Sequence, residues 1–474
     1  MKEVLVEYGD GKMPIQVPDH AVVVRYGETY TDPPPVDPVE ATRKALDNPL
    51  GLPPIRDLVG PRSRVVIAFP DRVKGGFHER THRRTAIPLI LEDLERAGVK
   101  EENITLLCAN GLHRKNTREE MYQYLPRAVV DRFWGRRLVC HDCEDPDMMV
   151  DLGEDEFGDQ VEFNRLAAEA DLCILLGHAQ GNPYGGYSGG AKMPATGLTG
   201  WRSIRCHHTP ASMHRPDFVP ATTESFFRRQ LQTIVRTIEE RIGKKLFLVD
   251  AVVGTHAEVL GVYAGAVEEV EKASWELARR RTDVHLDMEK ADVLVVGLPR
   301  TFHYGPGMGT NPVLMKQALG ATLSRCLGAF REGGVVIAPG LCDGWFNDDW
   351  FPSYREIYQL YQEHCTSVTD LIQFEELVSR QEEYIYKYRH GYAYHPFHGF
   401  SMMYMGEIAS HHTSAIYMPG ARKPGYARSM GIIPTKTFDE ALQDAARFVG
   451  KDPRILVLPG YLLMVPPHLF ATRS

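Results

Sequence analysis

The chain has 474 residues, of which 43% are hydrophobic and 24% are charged, and its formal net charge is −8. This length is too great for one ordinary hydrophobic core and predicts two domains. The negative charge and the absence of a long basic run argue against nucleic acid or an anionic membrane as the main partner. No apolar run is long enough to cross a bilayer, so we expect a soluble, cytoplasmic protein.

The first thirty residues predict a small antiparallel set of strands, and a stiff, proline-rich connector follows at 32–38. From Arg64 onward the pattern changes to α/β. The apolar run 65–69 predicts a buried strand, 85–97 an amphipathic helix and 104–107 the next strand. A strand, helix and strand in this order predict a parallel βαβ unit, in which ligands bind beyond the carboxyl ends of the strands.

Helices and strands alternate through the rest of the chain, with a crossing between domains predicted at 282–289. We therefore predict an α/β fold of two α/β domains with mostly parallel sheets and an active-site cleft between them. The first domain would cover 1–283 and bind the cofactor, with 462–474 a candidate to return to it, and the second would cover 290–460. The predicted helices are 226–241, 267–281, 312–327 and 439–449, and the predicted strands are 172–176, 246–253, 259–263, 293–297, 335–338, 413–418 and 455–458.

Three consecutive strands of the first domain end in residues suited to chemistry. Asp71 and Lys74 follow the first strand, and His113, in the sequence GLHR, follows the second. The third leads into a loop with six glycines between 177 and 190. Because the carboxyl ends of parallel strands meet at one edge of a sheet, the three loops predict one shared site.

The glycine loop combines groups that a cofactor site needs. Its glycines allow backbone N–H groups to approach a ligand such as phosphate closely. Lys192 follows as an amine, and the imidazoles of His207 and His208 come after Trp201. An ATP-binding P-loop is excluded, because Ala191 stands where its lysine belongs and no hydroxyl follows Lys192.

The sequence SGG-x-K, which ends at Lys192, and the histidine sixteen residues later resemble the cofactor loop of the nickel-dependent lactate racemase family. The resemblance implies a nickel-pincer nucleotide, a pyridinium-3,5-bisthiocarboxylic acid mononucleotide that carries nickel. The cofactor would be covalently attached at Lys192, and His208 would bind the nickel, with His207 as the alternative ligand. The other cofactor-binding residues that the resemblance implies are Asp71, Tyr184, Gly186, Ser188, Gly189 and Gly190.

The resemblance also implies catalytic residues. His113 matches the histidine of the family motif GTHRP and would be the base that takes the hydroxyl proton, a task that suits imidazole. Asp71 and Lys74 match an Asp-x-x-Arg, with lysine in place of arginine, so substrate recognition is expected to differ. Lys316 corresponds approximately to the substrate-facing lysine of the family.

One departure from the family pattern concerns the second base. Asn182 stands ten residues before Lys192, where the family has a second catalytic histidine, and an amide cannot take a proton. His178, Tyr184 or His207 could supply the second base instead. We therefore expect a substrate other than lactate, such as a larger hydroxy acid, a sugar acid or a sugar.

The resemblance implies an isomerase, a racemase or epimerase that inverts a hydroxyl-bearing carbon by hydride transfer to and from the cofactor. Its partners would be a small hydroxy acid or sugar substrate and the enzymes that make the cofactor. Two alternatives stay open, a metal-dependent hydrolase that uses His113, His207 and His208, and a nucleotide-binding protein without catalysis. His395 and His398 could share a helix face near the substrate, although ordinary polar packing is favoured. The oligomeric state is left open.

Overall fold

A computed structural model gives the fold and describes residues 1–74, 77–301, 304, 305, 307 and 309–473. The strands, in chain order, are β1 (Lys2–Gly9), β2 (Gly11–Val17), β3 (Val22–Val23), β4 (Val65–Pro70), β5 (Ile104–Ala109), β6 (Leu138–Cys140), β7 (Met149–Glu154), β8 (Gln160–Asn164), β9 (Leu172–Ala179), β10 (Gly181–Asn182), β11 (Gly186–Tyr187), β12 (Phe247–Val253), β13 (Val259–Ala266), β14 (Asp283–Leu286), β15 (Ala291–Val296), β16 (Leu298–Pro299), β17 (Phe330–Ile337), β18 (Thr413–Pro419), β19 (Ile433–Thr435), β20 (Ile455–Leu458) and β21 (His468–Ala471).

Helices separate most of these strands. They are α1 (Pro38–Asp47), α2 (Ile55–Leu58), α3 (Arg83–Arg96), α4 (Arg118–Tyr124), α5 (Arg127–Phe133), α6 (Arg165–Glu169), α7 (Lys192–Gly197), α8 (Trp201–His207), α9 (Pro210–Met213), α10 (Phe226–Ile242), α11 (Val267–Thr282), α12 (Pro312–Cys326), α13 (Tyr354–His364), α14 (Glu375–Ser379), α15 (Glu382–His390), α16 (Phe397–His412), α17 (Pro424–Ser429) and α18 (Phe438–Val449). Short 3-10 helices lie at His78–Arg80, Glu101–Asn103, Val368–Phe374 and Tyr461–Leu463.

The first large sheet has the strand order β13-β12-β9-β4-β5-β6. Its strands run parallel, except that β13 pairs antiparallel with β12. Every residue of β4, β5 and β9 is buried, as expected for a sheet that is covered on both faces. Because β9, β4 and β5 are neighbours, the loops that follow them leave the sheet at the same edge, as the sequence predicts.

The second large sheet has the strand order β19-β18-β17-β15-β20-β3 and is parallel throughout. Helix α12 is buried along its whole length and packs closely against α16. A Cβ atom at Gly320 of α12 would lie 2.0 Å from the carbonyl oxygen of Met405 in α16. Only glycine allows the two backbones to approach this closely.

The predicted α/β class with mostly parallel sheets is confirmed, and the predicted elements lie near the observed ones. The antiparallel pairing predicted near the N-terminus is confirmed for β1 and β2, whereas β3 runs parallel to a strand of the second sheet. β3 pairs with β20 of the second sheet, and β1 pairs with β16. At the other end of the chain β21 pairs with β14. The division into 1–283 and 290–460 stays a prediction. Within the described ranges, no helix has both the length and the apolar character that a membrane span needs.

Candidate active site

A cavity with about 850 Å³ of empty space lies at the carboxyl ends of β4, β5 and β9. Tyr304, His398, Ser401 and Met402, from the second half of the chain, also line it. Of the residues that the sequence singles out, the cavity brings together Asp71, Lys74, His113, His178, Tyr184, Ser188, Gly189, Lys192 and His208.

Asp71 and His113 form a buried pair in this cavity. The Nδ1 atom of His113 lies 2.8 Å from Oδ2 of Asp71, and Asp71 is only 1% exposed. Burial alone would raise the pKa of Asp71, but the neighbouring His113, Lys74 and Arg83 together hold this pKa below its usual value. The ionised carboxylate therefore accepts a hydrogen bond from Nδ1–H, which leaves Nε2 of His113 as the atom that can take a proton.

Arg83 fixes the loop that carries Asp71 and Lys74. Its buried guanidinium donates to the carbonyl oxygens of Pro70, Asp71 and Lys74, at 2.5, 2.6 and 2.8 Å. Burial lowers the pKa of Arg83 to about 10, so it stays charged at neutral pH. The local sequence pattern does not indicate this role of Arg83, because its hydrogen bonds join the start of α3 to the loop after β4.

Lys192, the first residue of α7, carries a buried amine. Its Nζ has no hydrogen-bond partner among the residues that the structure describes. It lies 5.1 Å from the ring centre of Tyr184 and 4.9 Å from that of Phe227. Burial lowers the pKa of Lys192 well below its usual value, and the charges of Lys74 and Arg228 lower it further. Burial thus favours the neutral amine, the form that acts as a nucleophile.

His208, which directly follows α8, also contacts the Tyr184 ring. The two rings stack with centres 5.2 Å apart. The Nδ1 atoms of His207 and His208 lie 2.7 Å apart, so one donates and the other accepts. In the described part of the chain, Nε2 of His208 forms no hydrogen bond, and His208 lines the cavity whereas His207 does not. Lys192 and His208 thus both contact the Tyr184 ring.

The glycine loop does not form the predicted phosphate cradle at its tip. The amides of Gly190 and Ala191 donate to the carboxylates of Asp250 and Glu271, at 2.9 and 2.7 Å. A Cβ atom at Gly190 would lie 2.2 Å from Oε1 of Glu271, and one at Gly186 would lie 2.7 Å from the backbone of Thr222. Neither glycine lines the cavity. Both glycines are needed for close packing, and their role in binding a cofactor stays a prediction.

A buried ion pair supports the same loop from behind. Arg228 donates from Nε to the carbonyl oxygen of Gly185 at 2.8 Å, and its Nη1 lies 3.2 Å from Oε1 of Glu271. The loop that ends at Lys192 is thus bound to α10 through Arg228, to β12 through Asp250 and to α11 through Glu271. Sequence analysis found none of these supports, because they lie 36 residues or more beyond Lys192 in the chain.

Asp250 is expected to make the stability of the fold pH-dependent. Burial raises the pKa of Asp250 to about 7, although the hydrogen bond from Gly190 opposes the shift. The unfolded chain releases this proton near pH 4, so stability should fall as the pH rises from about 4 to about 7. Asp250→Asn keeps an acceptor oxygen for Gly190 but cannot ionise. We expect urea unfolding to show wild type losing stability relative to this variant between pH 5 and pH 8. Parallel pH curves would contradict the assignment.

Residues 8–218 match the family model of the lactate racemase N-terminal domain. The chain is 22% identical to a lactate racemase of Thermoanaerobacterium thermosaccharolyticum over 463 residues, which cover 97% of this chain and 98% of the relative. It is 21% identical to a lactate racemase of Lactiplantibacillus plantarum over 421 residues, 89% of each chain. The structure of the lactate racemase apoprotein from T. thermosaccharolyticum matches over 100% of both chains, with a TM-score of 0.72 and 20% identity.

The chain is thus similar to lactate racemases over nearly its whole length. The resemblance predicted from the glycine loop is thereby confirmed, and the relatives carry the name of racemases, the enzyme class that the resemblance implies. The structural match also agrees with the mixed α/β fold described above.

Lys316 and Asn182 also lie outside the first cavity. Lys316 is 2% exposed and forms an ion pair with Glu407 at 2.7 Å, and its role as a substrate-facing residue stays a prediction. Asn182 lines a neighbouring cavity, and its Oδ1 accepts a hydrogen bond from the amide of Tyr184 at 2.9 Å. Asn182 therefore holds the backbone of the loop in shape.

His178 lies in the same cavity as His113. Its Nε2 is 3.4 Å from Oγ1 of Thr81, and its Nδ1 has no partner among the described residues. Burial lowers the pKa of His178 well below its usual value, and the charge of Arg83 adds to the effect. A neutral imidazole can accept a proton, so His178 is chemically able to act as a base.

The histidines of the second half separate in the structure. His395 lies within 2.7 Å of Glu144 and is buried away from the cavity. His398 lines the cavity, and its Nδ1 lies 2.6 Å from the hydroxyl of Tyr354. The rings of His398 and His113 meet edge to face at 5.4 Å. The sequence offered only the spacing of His395 and His398, which does not tell which of them faces the site.

Proposed function

We propose that the enzyme is a nickel-pincer nucleotide-dependent racemase or epimerase. It inverts a hydroxyl-bearing carbon of a 2-hydroxyacid, sugar acid or sugar other than lactate. One observation supports this most strongly: the buried amine of Lys192 and the imidazole of His208 both contact Tyr184 in the cavity that also contains the Asp71–His113 pair. A cytoplasmic location and cofactor-producing enzymes as partners belong to the same proposal.

The residues present fit the cofactor. Lys192 offers an amine that no described residue binds, and burial favours the neutral form that an acyl linkage to a thiocarboxylic acid arm requires. Imidazole nitrogen is a good ligand for nickel, and Nε2 of His208 is the nitrogen that its neighbours leave available. Tyr184 and Ser188 would line the bound cofactor. When bound, the cofactor supplies a reversible hydride acceptor.

The chain's own residues would move the proton. Nε2 of His113 takes the proton from the substrate hydroxyl and later returns it, while Asp71 holds the ring and stabilises the imidazolium. Lys74, whose side chain reaches the same cavity, would bind the substrate's anionic end as a single point charge. Nonpolar side chains such as Leu112 and Ile204 line the cavity and help to exclude water.

His178 is proposed as the second base. Of the three alternatives to the histidine that Asn182 replaces, His207 does not line the cavity. Burial raises the pKa of Tyr184, so its hydroxyl keeps its proton and is a poor base. His178 lines the cavity and is neutral, which supports its role for the second face of the substrate.

The reaction can be tested with single enantiomers of 2-hydroxyacids and sugar acids that carry deuterium on the hydroxyl-bearing carbon. The enzyme, produced together with cofactor-biosynthesis enzymes, should generate the opposite enantiomer or epimer. The deuterium should stay in the product, because hydride transfer does not exchange it with solvent. Washout of the label into water would contradict the proposal and would favour proton abstraction from carbon.

The nickel ligand can be tested with two neighbouring variants. We expect His208→Ala to lose nearly all nickel from protein that was produced with the cofactor enzymes. His207→Ala should keep most of its nickel, because His207 only contacts Nδ1 of His208. Nickel content per chain, measured by elemental analysis, decides between them. If only the His207 variant lost its nickel, His207 and not His208 would be the nickel ligand.

A further inference from the structure

A second cavity, with about 1380 Å³ of empty space, adjoins the first. Lys74, Tyr184 and Tyr304 line both cavities, whereas Lys192 and His208 line only the first. Leu463, which is 47% exposed, also lines the second cavity. The second cavity therefore reaches the surface and offers a path along which a substrate can enter. A covalently attached cofactor does not need such a path.

Arg325 is the unusual residue of this cavity. It is nine-tenths buried near the end of α12. Its Nη1 donates to the carbonyl oxygen of Ala321 at 3.0 Å, and its Nε has no partner in the described part of the chain. No carboxylate of the described residues lies within ion-pair distance of Arg325. A buried charge without a counter-ion costs several kcal/mol, so its presence points to a ligand that supplies one.

The carboxylates described nearest to this region are already bound to other residues and do not neutralise Arg325. Lys74 lies near Asp71, but this carboxylate already binds His113. Arg72, on the same loop as Lys74, has its Nε 3.4 Å from Glu120. Among the described residues that line the second cavity, three are arginine or lysine and none is acidic.

Helix α12 presents Arg325 together with a polar partner. Gln317, Ala321 and Arg325 follow one another at intervals of four residues, so they lie on one face of the helix. All three line the second cavity. The small side chain of Ala321 leaves space between the amide and the guanidinium. This face can bind one oxyacid group through charge-assisted hydrogen bonds.

We propose that Arg325 binds a second anionic group of the substrate, at the end far from the reacting carbon. The substrate class is then a hydroxy acid with a carboxylate or phosphate at its far end. This inference rests on the proposed function, since it assigns the reacting carbon to the first cavity. The same chemistry would also suit the phosphate of the cofactor, and the experiment separates the two sources.

The test compares acids of equal length by isothermal titration calorimetry at low salt. Malate and 2-hydroxyglutarate are the dianions, and 2-hydroxybutanoate and 2-hydroxypentanoate are the matched monoanions. We expect wild type to bind at least one dianion about tenfold more tightly than its monoanion, as a charge-assisted contact would give. Arg325→Met should abolish this preference and leave monoanion binding unchanged. Arg236→Met, at an exposed arginine of α10, is the control and should behave as wild type.

Thermal unfolding separates a ligand site from a structural role. Because Arg325 has no counter-ion, Arg325→Met should unfold at the same or a higher temperature than wild type. If this variant does not fold, Arg325→Lys decides, and it should reduce the preference for the dianion. Equal binding of dianions and monoanions by wild type would overturn the inference. An unchanged preference in either folded Arg325 variant would overturn it too.

Protein with and without the cofactor identifies the source of the anion. The preference for the dianion should persist when Lys192 carries the cofactor, and a preference found only without cofactor would overturn the inference in favour of the cofactor phosphate. Failure of the proposed function looks different. In that case the preference and its loss in Arg325→Met remain, but Lys192 carries no adduct and no hydroxy acid is inverted.

Discussion

Replacing His113 by glutamine is expected to lower turnover by about 10²- to 10⁴-fold, the usual contribution of a general base. Glutamine can still bond to Asp71, but it cannot take a proton from the substrate hydroxyl. The measurement is kcat of enzyme that carries its cofactor, with the nickel content determined on the same sample. Nickel content should stay at the wild-type level, because His113 is separate from the residues that would hold the cofactor.

His364→Gln provides the matched control for this variant. His364 lies at the end of α13 and has a 54% exposed side chain. Its replacement should leave both kcat and nickel content unchanged. If His113→Gln kept its activity within tenfold of wild type at normal nickel content, the proton would have to move through another group.

Replacing Lys192 by methionine is expected to abolish turnover and to stabilise the fold. Methionine is similar in length but cannot form the covalent bond to the cofactor. The amine of Lys192 is buried without a hydrogen-bond partner among the described residues, so its removal should raise the free energy of unfolding by about 1–3 kcal/mol. Urea unfolding without cofactor measures the stability, and chiral chromatography measures the turnover.

Lys316→Met is the matched control for stability, because it should act in the opposite direction. Lys316 is equally buried, but it binds Glu407 at 2.7 Å, and its removal leaves this carboxylate without its partner. We expect a loss of about 1–3 kcal/mol. A loss of stability in Lys192→Met would contradict the account, since it would show that the amine has a structural role.

The sequence predicts those site residues whose positions follow from the succession of strands and loops along the chain. Asp71, His113 and the glycine loop each follow a buried strand, and topology rules place such loops at one edge of a sheet. The structure confirms that these loops meet, because β9, β4 and β5 are neighbours.

The rest depends on contacts between distant segments, which one sequence does not encode in its local pattern. Arg228 and Glu271 support the glycine loop from α10 and α11. Glycines suit close packing as well as phosphate binding, so the sequence pattern alone does not show that Gly190 packs against Glu271. Lys316 and Gln317 differ by about 100° around their helix, and this rotation directs one to Glu407 and the other to the second cavity.

The most direct test of the account is the mass of the peptide that contains Lys192. The wild-type protein is produced with the cofactor-biosynthesis enzymes, and its turnover is verified before digestion. We predict that Lys192 carries the mass of the pincer nucleotide and that the intact protein contains one nickel per chain. An active enzyme whose Lys192 is unmodified would contradict the account.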